Sequence, residues 1–168
     1  HVSGLSSASA DNNLGGAGTG FHCKYLPVKI ADSNGSLIAA YEGIKYAADH
    51  GCQIINCSWG GGGASQYGQD IIDYATINKN CLVVCAAGNN NVDGDFFPAA
   101  YNYVLSVGNT TAIDTKQASS NYGYMVDVCA PGDNVNSTWP GSFYITSSGT
   151  SMSSPVVAGA AGIVKNHF

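Results

Sequence analysis

A serine lies among small residues in the stretch Gly149–Pro155 (GTSMSSP), directly before an apolar run, Val156–Val164, whose pattern predicts a helix. Small neighbours would let a substrate carbonyl approach the hydroxyl of Ser151. A helix N-terminus behind the serine would supply unpaired N–H groups and a positive dipole end, which stabilise developing negative charge. The pattern makes Ser151 a candidate nucleophile for acyl transfer. The alternative is a serine that only caps a buried helix.

Three further blocks precede this stretch: Leu26–Ile30 (LPVKI), Ile54–Gly61 (IINCSWGG) and Val83–Asn90 (VVCAAGNN). Together with Gly149–Pro155 they resemble, in order and spacing, four motifs of the subtilisin-like serine proteases (subtilases). The resemblance covers nearly the whole chain. It implies a secreted serine endopeptidase that hydrolyses peptide or protein substrates through an acyl-enzyme on Ser151.

The resemblance also implies roles for residues around Ser151. Asn89 matches the amide that donates to the oxyanion, although Asn-rich sequence also fits an ordinary turn. Exposed glycine backbone at Ser58–Gly61 would let an extended peptide add as a strand. The implied substrate-binding residues are Ser58, Trp59, Gly60, Gly61 and Gly88, with Ser33, Asn34 and Gly35 on the opposite edge. Phe97-Pro98 falls where the family has an aromatic–proline pair, often cis, beside the pocket.

The catalytic base is the part of the pattern that the chain does not match. His1–Gly4 (HVSG) resembles the second half of a family motif whose first histidine is the base. That histidine and the catalytic aspartate would both lie upstream of residue 1. His22, His50 and His167 are expected at the surface, and none is assigned a role because a base must reach the serine hydroxyl. We therefore expect this chain alone to be inactive, with the remaining part of the same protease as its partner.

Composition narrows the functional classes. The 168 residues carry a net charge of −5 and no basic cluster, so a nucleic-acid partner is not expected. No apolar run reaches the roughly 18 residues of a membrane span. We expect residues 1–168 to form one domain, a partial subtilase catalytic domain truncated at both ends. The chemistry requires no cofactor. Asp11–Asn13 lies where some family members bind calcium, so a structural Ca²⁺ stays open, but no metal ligand is assigned.

Five of the six cysteines divide into two groups by position. Three lie inside apolar strand runs and are expected to act as small buried hydrophobes: Cys57, Cys85 and Cys129. Cys52 and Cys81 start two strands that the family places side by side, which leaves open both a disulfide and two free thiols.

Strand and helix patterns alternate along the chain. Apolar runs predict strands at Tyr25–Ile30, Gln53–Ser58, Leu82–Ala87, Val104–Gly108 and Val126–Ala130, and the first four are expected to form a parallel sheet. Helical spacing occurs at Leu37–Asp49, Tyr67–Asn78 and Val156–Asn166, and a hairpin is predicted at Val135–Trp139 with Phe143–Thr146. The alternation predicts an α/β fold, a subtilisin-like parallel sheet with helices on both faces. The carboxyl ends of the strands would then bring Ser58–Gly61 and Gly88–Asn89 to one edge.

Two other functional classes are alternatives to a subtilase endopeptidase. An α/β-hydrolase esterase needs Gly-x-Ser-x-Gly, but Ser153 replaces the second glycine and too little chain follows for the later Asp and His. A non-catalytic, peptide-binding subtilase homologue is the remaining alternative. The sequence upstream of His1 would separate that homologue from an active protease.

Overall fold

The central sheet of the computed structural model, which describes residues 1–168, has four parallel strands. They are β1 (Ile54–Cys57), β2 (Leu82–Ala86), β3 (Val104–Thr110) and β4 (Val128–Pro131), in that spatial order. Ile54 is opposite Leu82, Val83 opposite Val104, and Val107 opposite Val128. β-Branched side chains pack well on both faces of such a sheet, which explains the continuous apolar runs.

Helices cover both faces of this sheet. They are α1 (Val2–Ser7), α2 (Ala40–Asp49), α3 (Gln66–Asp73), which continues as a π-helical turn (Tyr74–Asn78), and α4 (Thr150–His167). Alternate residues of a strand point to opposite faces. Ile55 and Val83 therefore pack with Ile72 of α3, whereas Val84 packs with Ala158 of α4. The predicted fold class, a parallel sheet with helices on both faces, is confirmed.

The predicted hairpin is also present, as β5 (Val135–Trp139) and β6 (Phe143–Ser147) paired antiparallel. It lies outside the parallel sheet. Its β5 strand contacts α1 near the chain start, where Ser137 Oγ donates to the carbonyl of His1 over 2.9 Å.

The prediction of a strand at Tyr25–Ile30 is wrong. The segment belongs to neither sheet, and β1 pairs only with β2. Tyr25 and Leu26 are 60% and 40% exposed, and Pro27 has no N–H to donate to a neighbouring strand. The carbonyl of Ile30 accepts a hydrogen bond from the backbone N–H of Ile38, which belongs to a turn and not to a strand. An apolar run becomes a strand only where a neighbouring strand offers it a hydrogen-bond ladder.

The predictions for the start of the last helix and for the burial of Cys129 are also wrong. The last helix begins at Thr150 rather than Val156, so Ser151 lies inside its first turn and Pro155 inside the helix. Cys129 is exposed, not buried, because β4 is the last strand of the sheet and only Ala130 of its four residues is buried.

Candidate active site

Ser151 lies in the first turn of α4, where backbone N–H groups have no intrahelical acceptor. Gly149 precedes the helix with a φ of 144°, a conformation that side-chain-bearing residues rarely adopt. Its carbonyl accepts from the N–H of Met152 over 2.9 Å. This glycine turn directs the chain from β6 into the helix and leaves Ser151 half-buried at its start.

Thr150 connects the start of α4 to the segment after β2. Its backbone N–H donates to Asn89 Oδ1 over 2.8 Å, and its hydroxyl donates to the same oxygen over 3.1 Å. The hydroxyl oxygen in turn accepts from the N–H of Gly88 over 3.1 Å. Thr150 is fully buried, whereas Asn89 is exposed. These bonds occupy the amide oxygen of Asn89 and leave its NH₂ group as the free end.

Ser58, directly after β1, is bound to Ser151 by a reciprocal pair of hydrogen bonds. Ser58 Oγ donates to the carbonyl of Ser151 over 2.8 Å, and Ser151 Oγ donates to the carbonyl of Ser58 over 3.3 Å. In a regular helix the carbonyl of Ser151 would accept from the N–H four residues later, but that residue is Pro155, which has none. The proline therefore leaves this carbonyl free for Ser58.

A chain of polar side chains supports this pair. Asn56, on β1, donates through Nδ2 to Ser58 Oγ over 3.0 Å and accepts from Ser154 Oγ over 2.6 Å. Ser154 is fully buried. The roles of Asn56, Ser154 and Thr150 were not predicted from the sequence. The signal for Asn56 was present, since an amide inside an apolar strand run must find partners when it is buried.

We call the region formed by Ser58–Gly61, Gly88–Asn89 and Ser151 the strand-end cleft, because its two loop segments follow the carboxyl ends of β1 and β2. The structure thus brings together the predicted residues Ser151, Asn89, Gly88 and Ser58. Trp59, Gly60 and Gly61 continue the same segment, and the N–H of Gly61 donates to the carbonyl of Phe97 over 2.8 Å. The Phe97-Pro98 bond is cis, as predicted.

The other predicted edge, Ser33–Gly35, has no hydrogen bond to this cleft. It forms an exposed turn closed on Asp32, whose Oδ1 accepts from the N–H groups of Asn34 and Ser36 over 2.8 and 2.9 Å. Gly35 has a φ of 82° in this turn.

No histidine or carboxylate is hydrogen-bonded to Ser151. His22, His50 and His167 are exposed, as expected. His1 lies beneath the hairpin, where its Nε2 is 3.1 Å from the carbonyl oxygen of Val135 and 3.2 Å from that of Ile145. The Ser151 hydroxyl donates to the carbonyl of Ser58, which is a neutral group.

All six cysteines are free thiols. Cys81 Sγ donates to the carbonyl of Cys52 over 3.0 Å instead of forming a disulfide with that residue. Cys57 and Cys85 are opposite each other in β1 and β2, directly behind the cleft. Burial raises the pKa of the Cys85 thiol well above its ordinary value, so this sulfur remains protonated and does not compete with Ser151 as a nucleophile.

The turn considered for calcium does not fit the ion on its own. Ca²⁺ takes about six to eight oxygen ligands. Asp11–Asn13 offers one carboxylate, and Asn12 Oδ1 already accepts from the N–H of Leu14 over 3.0 Å. No group of three or more His, Cys, Asp or Glu side chains is placed to hold a metal ion. None of the helices has the length and apolar character needed to cross a membrane.

A serine in the first turn of a helix, with an amide bound to the residue before it, provides the two groups that a serine hydrolase would use. Known proteins agree with this class. The family model described as "Subtilase family" matches residues 1–168, and the chain belongs to that family.

Individual relatives are proteases. The chain is 41% identical to thermitase of Thermoactinomyces vulgaris over 166 residues, which cover 98% of the chain and 59% of thermitase. It is 41% identical to a cell wall-associated protease of Bacillus subtilis, covering 98% of the chain and 18% of that protein. The chain therefore spans only part of the curated relatives that it matches.

Solved structures show the same fold. A protease from Pseudoalteromonas arctica superposes with a TM-score of 0.92 at 32% identity, covering 99% of the chain and 57% of the other. A cold-adapted subtilisin-like serine proteinase superposes with a TM-score of 0.84 at 30% identity, covering 99% and 60%.

Proposed function

We propose that this chain is part of a serine endopeptidase in which Ser151 is the nucleophile and Asn89 the oxyanion donor. The observation that carries the proposal is the attachment of Asn89 to the start of α4. Thr150 holds the amide oxygen of Asn89 with two hydrogen bonds, which turns the other end of the amide, its NH₂ group, away from Thr150. A free amide donor next to a half-buried serine at a helix N-terminus fits the formation of a tetrahedral oxyanion.

In the proposed reaction, Ser151 Oγ attacks the carbonyl carbon of the scissile peptide bond and loses its proton to a base. The N–H groups of Asn89 and of the Ser151 backbone stabilise the oxyanion. Collapse of this intermediate breaks the C–N bond, and the departing amine takes up the proton. Water then attacks the acyl-enzyme, releases the carboxylic acid and restores the serine hydroxyl. The substrate would be a peptide in extended conformation along Ser58–Gly61, with Ser33–Gly35 as the opposite edge.

The base would come from another part of the same protein. A neutral serine hydroxyl is a weak nucleophile. In subtilisin, loss of the catalytic histidine alone lowers turnover by about 2 × 10⁶. The isolated 168-residue chain should therefore have almost no activity, because Ser151 Oγ contacts only a carbonyl. We also propose that the protein acts outside the cell, which is supported by its similarity to a cell wall-associated protease.

A fluorophosphonate probe tests the proposal, because it forms a covalent bond only with an activated serine. The full-length protein and the 168-residue chain are compared, each with its Ser151→Ala variant as a matched control. We expect rapid labelling of full-length protein at Ser151, none in the variant, and very slow labelling of the shorter chain. Rapid labelling of the shorter chain would reveal a base within residues 1–168. Absence of labelling in the full-length protein would favour the non-catalytic, peptide-binding alternative.

A further inference from the structure

The amide side chain of Asn121 binds the main chain on both sides of Asn89. Its Oδ1 accepts from the backbone N–H of Asn90 over 2.9 Å and from that of Val92 over 3.3 Å. Its Nδ2 donates to the carbonyl of Ala87 over 2.9 Å. Asn121 is only 2% exposed, and all three partners of its amide belong to the segment that carries Asn89. One buried side chain therefore fixes the main chain before and after the proposed oxyanion donor.

The main chain of Asn121 adds a fourth hydrogen bond, because its N–H donates to the carbonyl of Gly88 over 2.9 Å. Gly88 has a φ of 102°, which turns the chain as it leaves β2. A Cβ atom on Gly88 would overlap Nδ2 of Asn121, so the amide lies directly against the α-carbon of this glycine. Asn121 thus contacts the residue directly before Asn89 through both its main chain and its side chain.

Secondary structure does not hold the segment that carries Asn89. Residues 89–92 are exposed and belong to no helix or strand. Thr150 holds the Oδ1 atom of Asn89, but a side chain is placed only as well as the main chain from which it extends. An oxyanion donor must lie within about 0.5 Å of its productive position. The hydrogen bonds of Asn121 supply the constraint on the main chain that a strand or a helix would otherwise provide.

Lys116 joins the same two segments at a second point. Its Nζ donates to Asn91 Oδ1 over 2.8 Å and to the carbonyl of Ser120 over 3.1 Å. The same Nζ lies within 3.4 Å of two further carbonyl oxygens of its own segment. One ammonium group therefore connects the side chain two residues after Asn89 to the main chain directly before Asn121.

We propose that Asn121, with Lys116 as a second anchor, positions Asn89 for stabilisation of the oxyanion. This inference rests on the proposed function. Asn121 is a positioning residue, because it acts through Asn89 and not on the substrate. Its loss should lower kcat and leave KM nearly unchanged, since negative charge develops on the substrate oxygen only as the bond to the serine forms. A displacement of about 1 Å in a reacting group can cost about 100-fold in rate, and complete loss of one oxyanion donor costs about 10²–10³-fold, which sets the upper limit.

The test uses the full-length protein, a peptide substrate and the variant Asn121→Leu. Leucine keeps the approximate shape of the side chain and removes all three hydrogen bonds of the amide. We expect kcat to fall about 10–100-fold with KM unchanged. Ile72→Ala is the control for lost stability, because Ile72 is fully buried in the core and its truncation should leave kcat unchanged. Urea unfolding identifies conditions in which both variants are fully folded for the kinetic measurements.

A double-mutant cycle separates positioning from a general structural role. In an Asn89→Ala background there is no donor to position, so Asn121→Leu should have little further effect on kcat. Lys116→Met changes an exposed residue and should give a smaller loss of kcat that also disappears without the Asn89 amide. Lys165→Met is its matched control, because Lys165 is also exposed and lies in the last turn of α4, whereas Ser151 lies in the first.

A fall in kcat at constant KM in Asn121→Leu that vanishes in the Asn89→Ala background would support the inference. An unchanged kcat, or an equal fall with and without the Asn89 amide, would overturn it and leave the proposed function standing. If Asn121→Leu does not fold, the decision passes to Lys116→Met. A kcat that falls in this variant only while the Asn89 amide is present would support the inference, and an unchanged kcat would overturn it. If the unaltered full-length protein neither cleaves a peptide nor labels with fluorophosphonate at Ser151, the proposed function fails and the inference fails with it.

Discussion

Replacing Thr150 with valine removes one hydroxyl oxygen and keeps the size and branching of the side chain. In the structure that oxygen donates to Asn89 Oδ1 and accepts from the N–H of Gly88, each over 3.1 Å. Gly88 is buried, so its N–H would be left without an acceptor and without water. An unsatisfied buried donor costs about 1–3 kcal/mol, and we expect Thr150→Val to destabilise the protein by that amount.

The matched control is Thr150→Ser, which keeps both hydrogen bonds and loses a single methyl group, at a cost of about 0.8 kcal/mol. Urea unfolding of both variants measures the difference, through a lower midpoint at an unchanged slope. The two variants should also differ in activity. Thr150→Val loosens the amide of Asn89 and should slow fluorophosphonate labelling of Ser151, whereas Thr150→Ser should label at the normal rate.

A double-mutant cycle then tests whether Thr150 acts through Asn89. In an Asn89→Ala background the hydroxyl has no amide to hold, so Thr150→Val should have little further effect on labelling. The reasoning is refuted if Thr150→Val is as stable as the unaltered protein. It is also refuted if the substitution slows labelling equally with and without the Asn89 amide.

Three further predictions concern the proposed oxyanion donor, the core and the surface. Asn89→Ala should lower kcat about 10²–10³-fold with little change in KM, as for one oxyanion-hole donor in subtilisin. Ile72→Ala should lower the free energy of unfolding by about 2–5 kcal/mol, because this side chain is fully buried (0% exposed). Hydrogen bonds from Lys45 and Lys79 hold the pKa of Asp49 well below its ordinary value of 3.8. This carboxylate stabilises the folded protein at pH values above the pKa that it has in the unfolded chain. Asp49→Asn should therefore lower the melting temperature at pH 7. The difference in melting temperature from the unaltered protein should shrink as the pH falls below about 4.

Each of these predictions has a control within the chain. Asn90→Ala changes the next exposed amide and should leave kcat unchanged. Ile77 is 60% exposed, so Ile77→Ala should cost far less than Ile72→Ala. Asp114→Asn removes an exposed carboxylate that forms no ion pair and should change the melting temperature at pH 7 far less than Asp49→Asn. Equal losses in a variant and its control would contradict the corresponding prediction.

The sheet and the position of Ser151 could be predicted because they depend on local pattern. The apolar runs around Ile54 and Val83 are long enough to specify buried strands, and Gly149 marks the turn before the serine. Tyr25–Ile30 has a similar apolar run but no neighbouring strand in the structure, and pairing is not a local property. The prediction that Cys129 is buried was wrong for a related reason, since a strand at the edge of the sheet exposes side chains that an inner strand would bury.

The polar contacts behind the strand-end cleft could not be predicted from the sequence, for a different reason. Thr150 and Asn56 belong to motifs that were already interpreted, but their partners lie in other segments.

The hydrogen bonds that join Ser58 to Ser151 connect residues 93 positions apart, and those that join Asn89 to Thr150 span 61 positions. During synthesis the ribosome releases β1 and β2 long before α4. The amide and the glycine segments thus emerge well ahead of the serine that they surround. The cleft cannot assemble until residue 151 has left the ribosome, because the hydrogen bonds to Ser58 and Asn89 cross these distances. A nascent chain that stops before that point contains the segments after β1 and β2 but not Ser151.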